Sequence, residues 1–496
     1  MTSLSTLRAD VSRQWQRGRW FAPAAAVIIL LRWRYLFTPI TSDEGGYLAE
    51  ARAWGRGAVL YRDVWVDRPQ GLVLLFRIWN DIGLGSPVGV RIMALVATLI
   101  GAAAAGCIAK RLAGAHAGWI AALAVGVIGS IPQQESFIAN SELLSSALGI
   151  LALAVLLLGF WDRDRPWYRI LALGGILGGC ALSMKQSGFD AFFAGLIMLL
   201  VVSLGRRWST RDRMLAVPAA LGGLMLPILA MMIHGAVTGW HRWWYAFAGY
   251  RLDQRSALQN AEWGRLRQTA GSIAPLLLPT VILGLALIVW LVRRTELRAA
   301  ALLAVWSMLA LIAFLLGGQF FRHYWVIFAF PLGTGAGVLA GYVRQRGIRL
   351  GFVVGMLVVP VVATLVTLGI PREDVGPRLS DDGRLIASER IADWFDEQRE
   401  PGDNIFAMCA SAALYGNVDT DPPYPYLWFA LIPQIPGAQQ MLIDMMEGPD
   451  APTFVAMFQP ARTCDPTGAV GSALATRYEI VTTIEEIDVY RLSRAP

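Results

Sequence analysis

The chain has 496 residues, 55% of them hydrophobic and 16% charged, with mean hydropathy +0.49 and a formal charge of +7. Hydropathy this high over this length excludes a soluble globular protein and points to a polytopic membrane protein. The basic residues fall in short clusters between apolar runs, which makes the charge a topological signal and excludes a polyanion-binding surface as its source.

Residues 1–20 carry Arg8, Arg13, Arg17 and Arg19 against Asp10, and the positive-inside rule places them in the cytoplasm. The first apolar run is followed by Arg32 and Arg34, not by a small-residue cleavage site, so it is expected to stay as a helix. Eleven membrane spans are predicted, at 21–40, 88–109, 117–132, 141–160, 168–184, 188–204, 214–237, 271–292, 299–317, 324–342 and 350–370. Each approaches the ~20 residues that a helix needs to cross. Every second connection is basic: Lys110-Arg111, Arg163 to Arg169, Arg206 to Arg213, Arg293 to Arg298, and Arg344 to Arg349. Those connections belong on the cytoplasmic side, which leaves 41–87, 133–140, 185–187, 238–270, 318–323 and 371–496 outside a cell membrane.

The first external loop, 41–87, holds the acids Asp43, Glu44 and Asp67, with Arg68-Pro69 at the end of an aromatic-rich stretch. Glu50 to Gly57 and Gly71 to Asp81 have helical character, and the second can lie in the membrane interface. The 238–270 loop interleaves Trp240, Trp243, Trp244, Tyr245, Phe247 and Tyr250 with His241, Arg242, Arg251 and Arg255, the pattern of an interfacial aromatic belt. Gly174-Gly175, Gly178-Gly179 and Gly333, Gly335, Gly337 sit within spans, where glycines serve close helix packing. The chain divides at Pro371 into a membrane part, 1–370, and a small α/β part, 371–496. The latter is read from amphipathic runs at 385–398 and 439–446 between short apolar ones at 405–409, 453–458, 479–481 and 487–492. Cys409 and Cys464 are the cysteines of that outer part, and a disulfide between them is expected.

Two lysines, Lys110 and Lys185, leave no place for a phosphate-binding G-x-x-x-x-G-K-[ST] loop, which argues against an ATP-driven pump. Asp162-Arg163-Asp164 and Asp419-Thr420-Asp421 read as solvated turns, Gly333 to Gly337 follows no strand, and the four histidines have no ligand spacing. The rim that faces outside then carries Asp43, Glu44, Asp67, Glu135 and Glu142 as acids and Arg68, Lys185, Arg322 and His323 as cations. A carboxylate takes a proton from a hydroxyl and cations hold a departing phosphate, a set suited to moving a sugar from a lipid phosphate. A transporter or lipid flippase is the alternative, and the chain lacks the paired internal repeats common in transporters.

These segments carry a resemblance. Asp43-Glu44 after the first span, Asp67-Arg68-Pro69-Gln70-Gly71, Ala139-Asn140-Ser141-Glu142, Met184 to Gly188, Phe321 to Tyr324 and the tail's Pro401 to Phe406 together resemble GT-C glycosyltransferases. The branch is that of protein O-mannosyltransferases and the lipid A aminoarabinose transferase. In the basic-proline motif, Arg68 and Gln70 stand where the family's usual lysine and second proline would be. The resemblance implies a mainly α membrane fold of about eleven spans with a small external α/β domain. It also implies inverting transfer of a mannose- or arabinofuranose-type sugar from a polyprenyl-phosphate donor to a glycan, lipid or protein acceptor. Asp43 is then the base, with Glu44 its rival for that role. Arg68, Lys185, Arg322 and His323 surround the donor phosphate, and Asp67, Glu135, Glu142 and Tyr324 are accessory or acceptor-facing. Relatives differ in metal use, so a divalent metal stays open. The arginine-rich, Ala- and Gly-rich composition fits a bacterial, actinobacterial-type source.

Overall fold

A computed structural model describes residues 21–205, 208–254, 259–293, 296–409 and 412–493. The chain is mainly helical. Helix α1 (Ala22–Arg32) continues through a tight turn, Trp33–Phe37, and then bends by 76° into α2 (Ser42–Gly55). After α3 (Gln70–Trp79) come α4 (Pro87–Ala113), α5 (Ala115–Ile128), α6 (Ser141–Phe160), α7 (Tyr168–Met184) and α8 (Asp190–Gly205). Helices α9 (Thr210–Thr238), α10 (Gln259–Arg293), α11 (Leu297–Gly317), α12 (Ala329–Tyr342) and α13 (Arg346–Thr367) complete the apolar set. Among the described residues, seven helical stretches are long and apolar enough to cross a membrane, or eight if the bent α1–α2 pair is one span. Three other predicted spans form the shorter helices α5, α7 and α8, of 14, 17 and 16 residues.

Local chemistry sets several helix starts. Asn140 accepts from the Leu143 N–H at 2.8 Å, Ser86 from Gly89 at 3.1 Å and Ser209 from Asp212 at 3.1 Å, each satisfying an otherwise orphaned amide. The predicted glycine packing is present: Gly175 and Gly179 of α7 lie against α9, and Gly333 and Gly337 of α12 against α5, too close for any side chain. The amphipathic reading of 71–81 holds in α3, which buries Leu72, Val73 and Phe76 and exposes Leu74 and Ile78.

The C-terminal part builds a small four-stranded sheet in the order β1 (Ile405–Met408), β2 (Phe454–Met457), β4 (Ile487–Leu492), β3 (Tyr478–Ile484). Strands β1 and β2 run parallel, and β3 and β4 form an antiparallel hairpin, turned by Glu485 and Glu486, both at positive φ. Helices α14 (Leu385–Gln398), α15 (Ala438–Glu447) and α16 (Ala469–Arg477) accompany it. The runs marked in the sequence at 385–398, 405–409 and 487–492 coincide with α14, β1 and β4. Cys409 and Cys464 are joined in a disulfide, with Cα atoms 5.5 Å apart.

The segment between β1 and β2 returns to α2. Arg52 of α2 donates to the Val418 carbonyl at 2.9 Å, and Arg56 pairs with Asp419 at 3.0 Å and Asp421 at 2.6 Å. Trp65 N–H donates to the Pro425 carbonyl at 3.1 Å. A side-chain carbon on Gly416 would lie 2.6 Å from Gly45 Cα, so the two backbones touch.

Candidate active site

Helix α2 begins with the capping-box pattern Thr41-x-x-Glu44, and this settles where its two acids point. Glu44 turns back to accept from the Thr41 amide at 3.2 Å and hydroxyl at 3.1 Å. It also accepts from the Ala139 amide at 2.8 Å and faces Arg91 at 3.2 Å, fully buried. Both carboxyl oxygens are engaged with the wall of the protein. Asp43, one residue earlier, points the other way. Its side chain keeps 26% of its surface open and lines a chamber of about 200 Å³ with Tyr47, Asp67, Arg68, Arg251 and Trp428.

A second cavity of about 780 Å³ shares Arg68 and Arg251 with the first and adds Lys185, Tyr324, Trp244 and Trp263. Arg68 Nη1 donates to Asp67 Oδ1 at 2.7 Å, and Arg251 pairs with the other Asp67 oxygen. Burial pushes the Asp67 carboxyl up, but the Arg251 and Arg68 guanidiniums outweigh it and hold the group below the usual carboxylate range. Lys185 donates to Glu142, and its ammonium lies 3.6 Å over the Tyr324 ring. The Tyr324 hydroxyl is buried at the cavity and has no hydrogen-bond partner among the described residues.

Of the predicted phosphate cations, Arg68 and Lys185 therefore reach one cavity and two others do not. Arg322 turns outward and forms two bonds to Asp381, at 2.8 and 2.9 Å. That carboxylate lies on a segment 59 residues later, beyond the reach of any local pattern. His323 is buried behind Asp43, with Nδ1 2.7 Å from Glu135 and Nε2 3.9 Å from Asp43 and 3.7 Å from Glu142. In their place the structure supplies Arg251, which the sequence offered only as one basic residue of an aromatic loop, and Arg265, whose Nη1 donates to the Gln319 carbonyl at 2.8 Å. Trp428, Leu431 and Gln434, from the C-terminal part, roof the Asp43 chamber, and no sequence signal marked them. Tyr250 ties this roof to the 240–254 segment through a 2.9 Å bond to Gln434.

The acids do not form a metal-binding set. Glu44 is matched by Arg91, Glu142 by Lys185, Glu135 by His323 and Asp67 by two arginines. No group of three or more His, Cys, Asp or Glu among the described residues is arranged to hold an ion. Beside the polar cavities, an apolar cavity of about 670 Å³ runs between α3, α4, α6, α7 and α9. Its lining includes Gln70, Gly71, Ser183 and Met184, within three residues of Arg68 or Lys185.

No family model matches the chain, and no curated protein sequence does. Among solved structures, the fold is similar to ArnT from Cupriavidus metallidurans bound to undecaprenyl phosphate, with a TM-score of 0.69 at 14% identity over 95% of this chain and 98% of that one. The apo state of the same protein gives a TM-score of 0.60 at 13% identity, over 96% of this chain and 98% of that one. Archaeal oligosaccharyltransferase AglB from Archaeoglobus fulgidus, in complex with an inhibitory peptide and a dolichol-phosphate, gives 0.51 at 12% identity, over 98% and 75%. The GT-C fold expected from the sequence is the fold these neighbours share with the chain.

Proposed function

We propose that this protein is a membrane glycosyltransferase that moves a mannose- or arabinofuranose-type sugar from a polyprenyl phosphate to a hydroxyl of an acceptor outside the membrane, with inversion. The observation that carries the reading is the shared wall of two cavities. Asp43 faces the small one, Lys185 and Tyr324 the large one, and Arg68 and Arg251 line both. A donor phosphate on Arg68, Lys185 and Arg251 would hold its anomeric carbon toward Asp43. The neighbouring apolar cavity starts beside the same two cations and suits a polyprenyl tail. Two of the solved neighbours are in complex with undecaprenyl phosphate and with a dolichol-phosphate, lipid phosphates of the class this reading requires.

In the step itself, Asp43 takes the acceptor's hydroxyl proton as that oxygen bonds to the anomeric carbon. The bond from that carbon to the phosphate oxygen breaks, and its electron pair leaves with the phosphate. The cations stabilise the charge that develops there, and the Tyr324 hydroxyl is free to donate to it. Glu142 acts by holding Lys185 in place. No step in this scheme passes through a metal. Residues 1–370 form the catalytic membrane part with a cytoplasmic N-terminus, and 371–496 an outer unit that roofs the acceptor chamber.

The test is transfer by the purified, reconstituted chain from radiolabelled polyprenyl-phosphate mannose and arabinofuranose to an envelope extract. Asp43→Asn keeps the size of the side chain and removes its basicity, so turnover should fall roughly 10²–10⁴-fold while undecaprenyl phosphate still binds. Near-normal turnover by Asp43→Asn overturns the assignment. Label crossing the bilayer without product would instead make the protein a transporter.

A further inference from the structure

His323 opens the tight helical turn Arg322–Phe328 and is only 6% exposed. It lines neither polar cavity. Its ring packs nearly parallel to Phe321, 15° apart with centroids at 5.6 Å, and its two nitrogens point in opposite directions. Nδ1 lies 2.7 Å from Glu135, and Nε2 faces Asp43 and Glu142 together at 3.9 and 3.7 Å. Glu135 itself sits at φ 49°, in the left-handed region that a non-glycine residue adopts only where its surroundings hold it.

This geometry has two possible protonation states, and they differ in sign. A neutral ring that donates from Nδ1 to Glu135 turns an Nε2 lone pair toward two carboxylates, which repel it. An imidazolium presents an N–H there and attracts both. Three carboxylates within 4 Å select the imidazolium. Building on the function proposed above, we propose that His323, held by Glu135, is the positioning residue of Asp43, keeping that carboxylate ionised and aimed at the acceptor chamber rather than binding the donor phosphate.

The arrangement answers a conflict in the site. A carboxylate in a largely enclosed chamber tends to protonate, and a protonated Asp43 accepts nothing from a hydroxyl. A lysine or arginine in direct contact would keep it charged but would occupy the lone pairs the acceptor needs. The ion pair that Asp43 makes with His323 stays at 3.9 Å, short enough for attraction and too long for a hydrogen bond. Of the other cations nearby, Lys185 is paired with Glu142, Arg68 and Arg251 with Asp67 and Arg91 with Glu44, while Arg265 donates to the Gln319 carbonyl.

The test reads the ionisation of Asp43 in the full-length protein. The charged and titratable groups around the pair are Glu135, Glu142, Asp67, Glu262, Arg68, Arg251, Arg265, Lys185, Tyr47 and Tyr324, and the titrated variants at His323 and Glu135 leave the others unchanged. Infrared difference titration, with Asp43→Asn identifying the band, follows the carboxylate without turnover. In His323→Gln its midpoint should move up by roughly one to three pH units, the effect of an opposite charge at this distance. Glu135→Gln should move it less, in the same direction. The acid limb of kcat/KM should move with it, so that activity lost at neutral pH returns at higher pH. Undecaprenyl phosphate binding, read by tryptophan quenching, should stay as in the unmodified protein while Arg68→Gln weakens it. An infrared midpoint that stays put in both variants overturns the proposal, and so does a His323→Gln protein that loses undecaprenyl phosphate binding with an unmoved midpoint. Failure of the glycosyltransferase reading would show separately, as no product from the unmodified protein, and failure of the base assignment as unimpaired turnover by Asp43→Asn.

Discussion

Single side chains divide the acids of the first loop into those that build and one that is open. Glu44 accepts from the backbone at both ends of its reach and faces Arg91, whereas Asp43 has no hydrogen-bond partner among the described residues and opens on a chamber. Adjacent residues in a first helical turn diverge by about 100°, which follows from 3.6 residues per turn. A capping box on one therefore frees the other. Glu50, two turns along α2, is the outlier: it is fully buried and neither carboxyl oxygen has a hydrogen-bond partner among the described residues. Leaving such a group unpaired costs about 1–3 kcal/mol. Glu50→Met, of similar length and without the polar atoms, should raise the thermal unfolding temperature in detergent. A drop would mean that the carboxyl has a partner in the membrane-embedded protein.

At the scale of elements, the decisive contact is between α2 and the segment after β1. Gly416 meets Gly45 backbone to backbone, Arg52 and Arg56 reach over to Val418, Asp419 and Asp421, and the disulfide at Cys409 anchors the segment a few residues before it. The first turn of α2, which carries Asp43, is thus positioned from the C-terminal part as well as by its own cap. Gly416→Val would place a branched side chain where 2.6 Å separates a single added carbon from Gly45 Cα. The helix must shift, and misplacement of about 1 Å at a reacting group costs on the order of 10²-fold. The expected result is a kcat reduced by about that factor with undecaprenyl phosphate binding retained, since Arg68 and Lys185 sit on other elements. Unchanged kcat would show that the contact does not position the site.

For the molecule as a whole, we propose from the arginine clusters between spans a topology with Asp43 and the C-terminal sheet on one side of the membrane. Three of the eleven predicted spans are helices of only 14 to 17 residues, so the bilayer is matched less evenly than hydropathy suggested. The measurement is labelling of single cysteines in intact cells, in a background with Cys107 and Cys180 replaced. A cysteine at Asp403 should react with an impermeant maleimide and one at Arg165 should not. Reaction at Arg165 from outside would reverse the side on which the proposed chemistry occurs.

By itself the sequence determined the membrane class, most helical segments, the secondary structure of the tail, the pairing of Cys409 with Cys464, and the acidic loop whose Asp43, Asp67 and Arg68 line the small chamber. These are local properties: run length, periodicity and composition within about twenty residues report burial and crossing. The tertiary structure alone decided which acid of Asp43-Glu44 faces the cavity, that Arg251 joins Arg68 on Asp67, that Arg322 leaves for Asp381, and that His323 stands behind Asp43. The reason is the same in each case. The partner of each charge lies on another element, 95 residues away for Glu44 and Ala139 and 188 for His323 and Glu135, and a side chain turns toward the charge that packing brings to it.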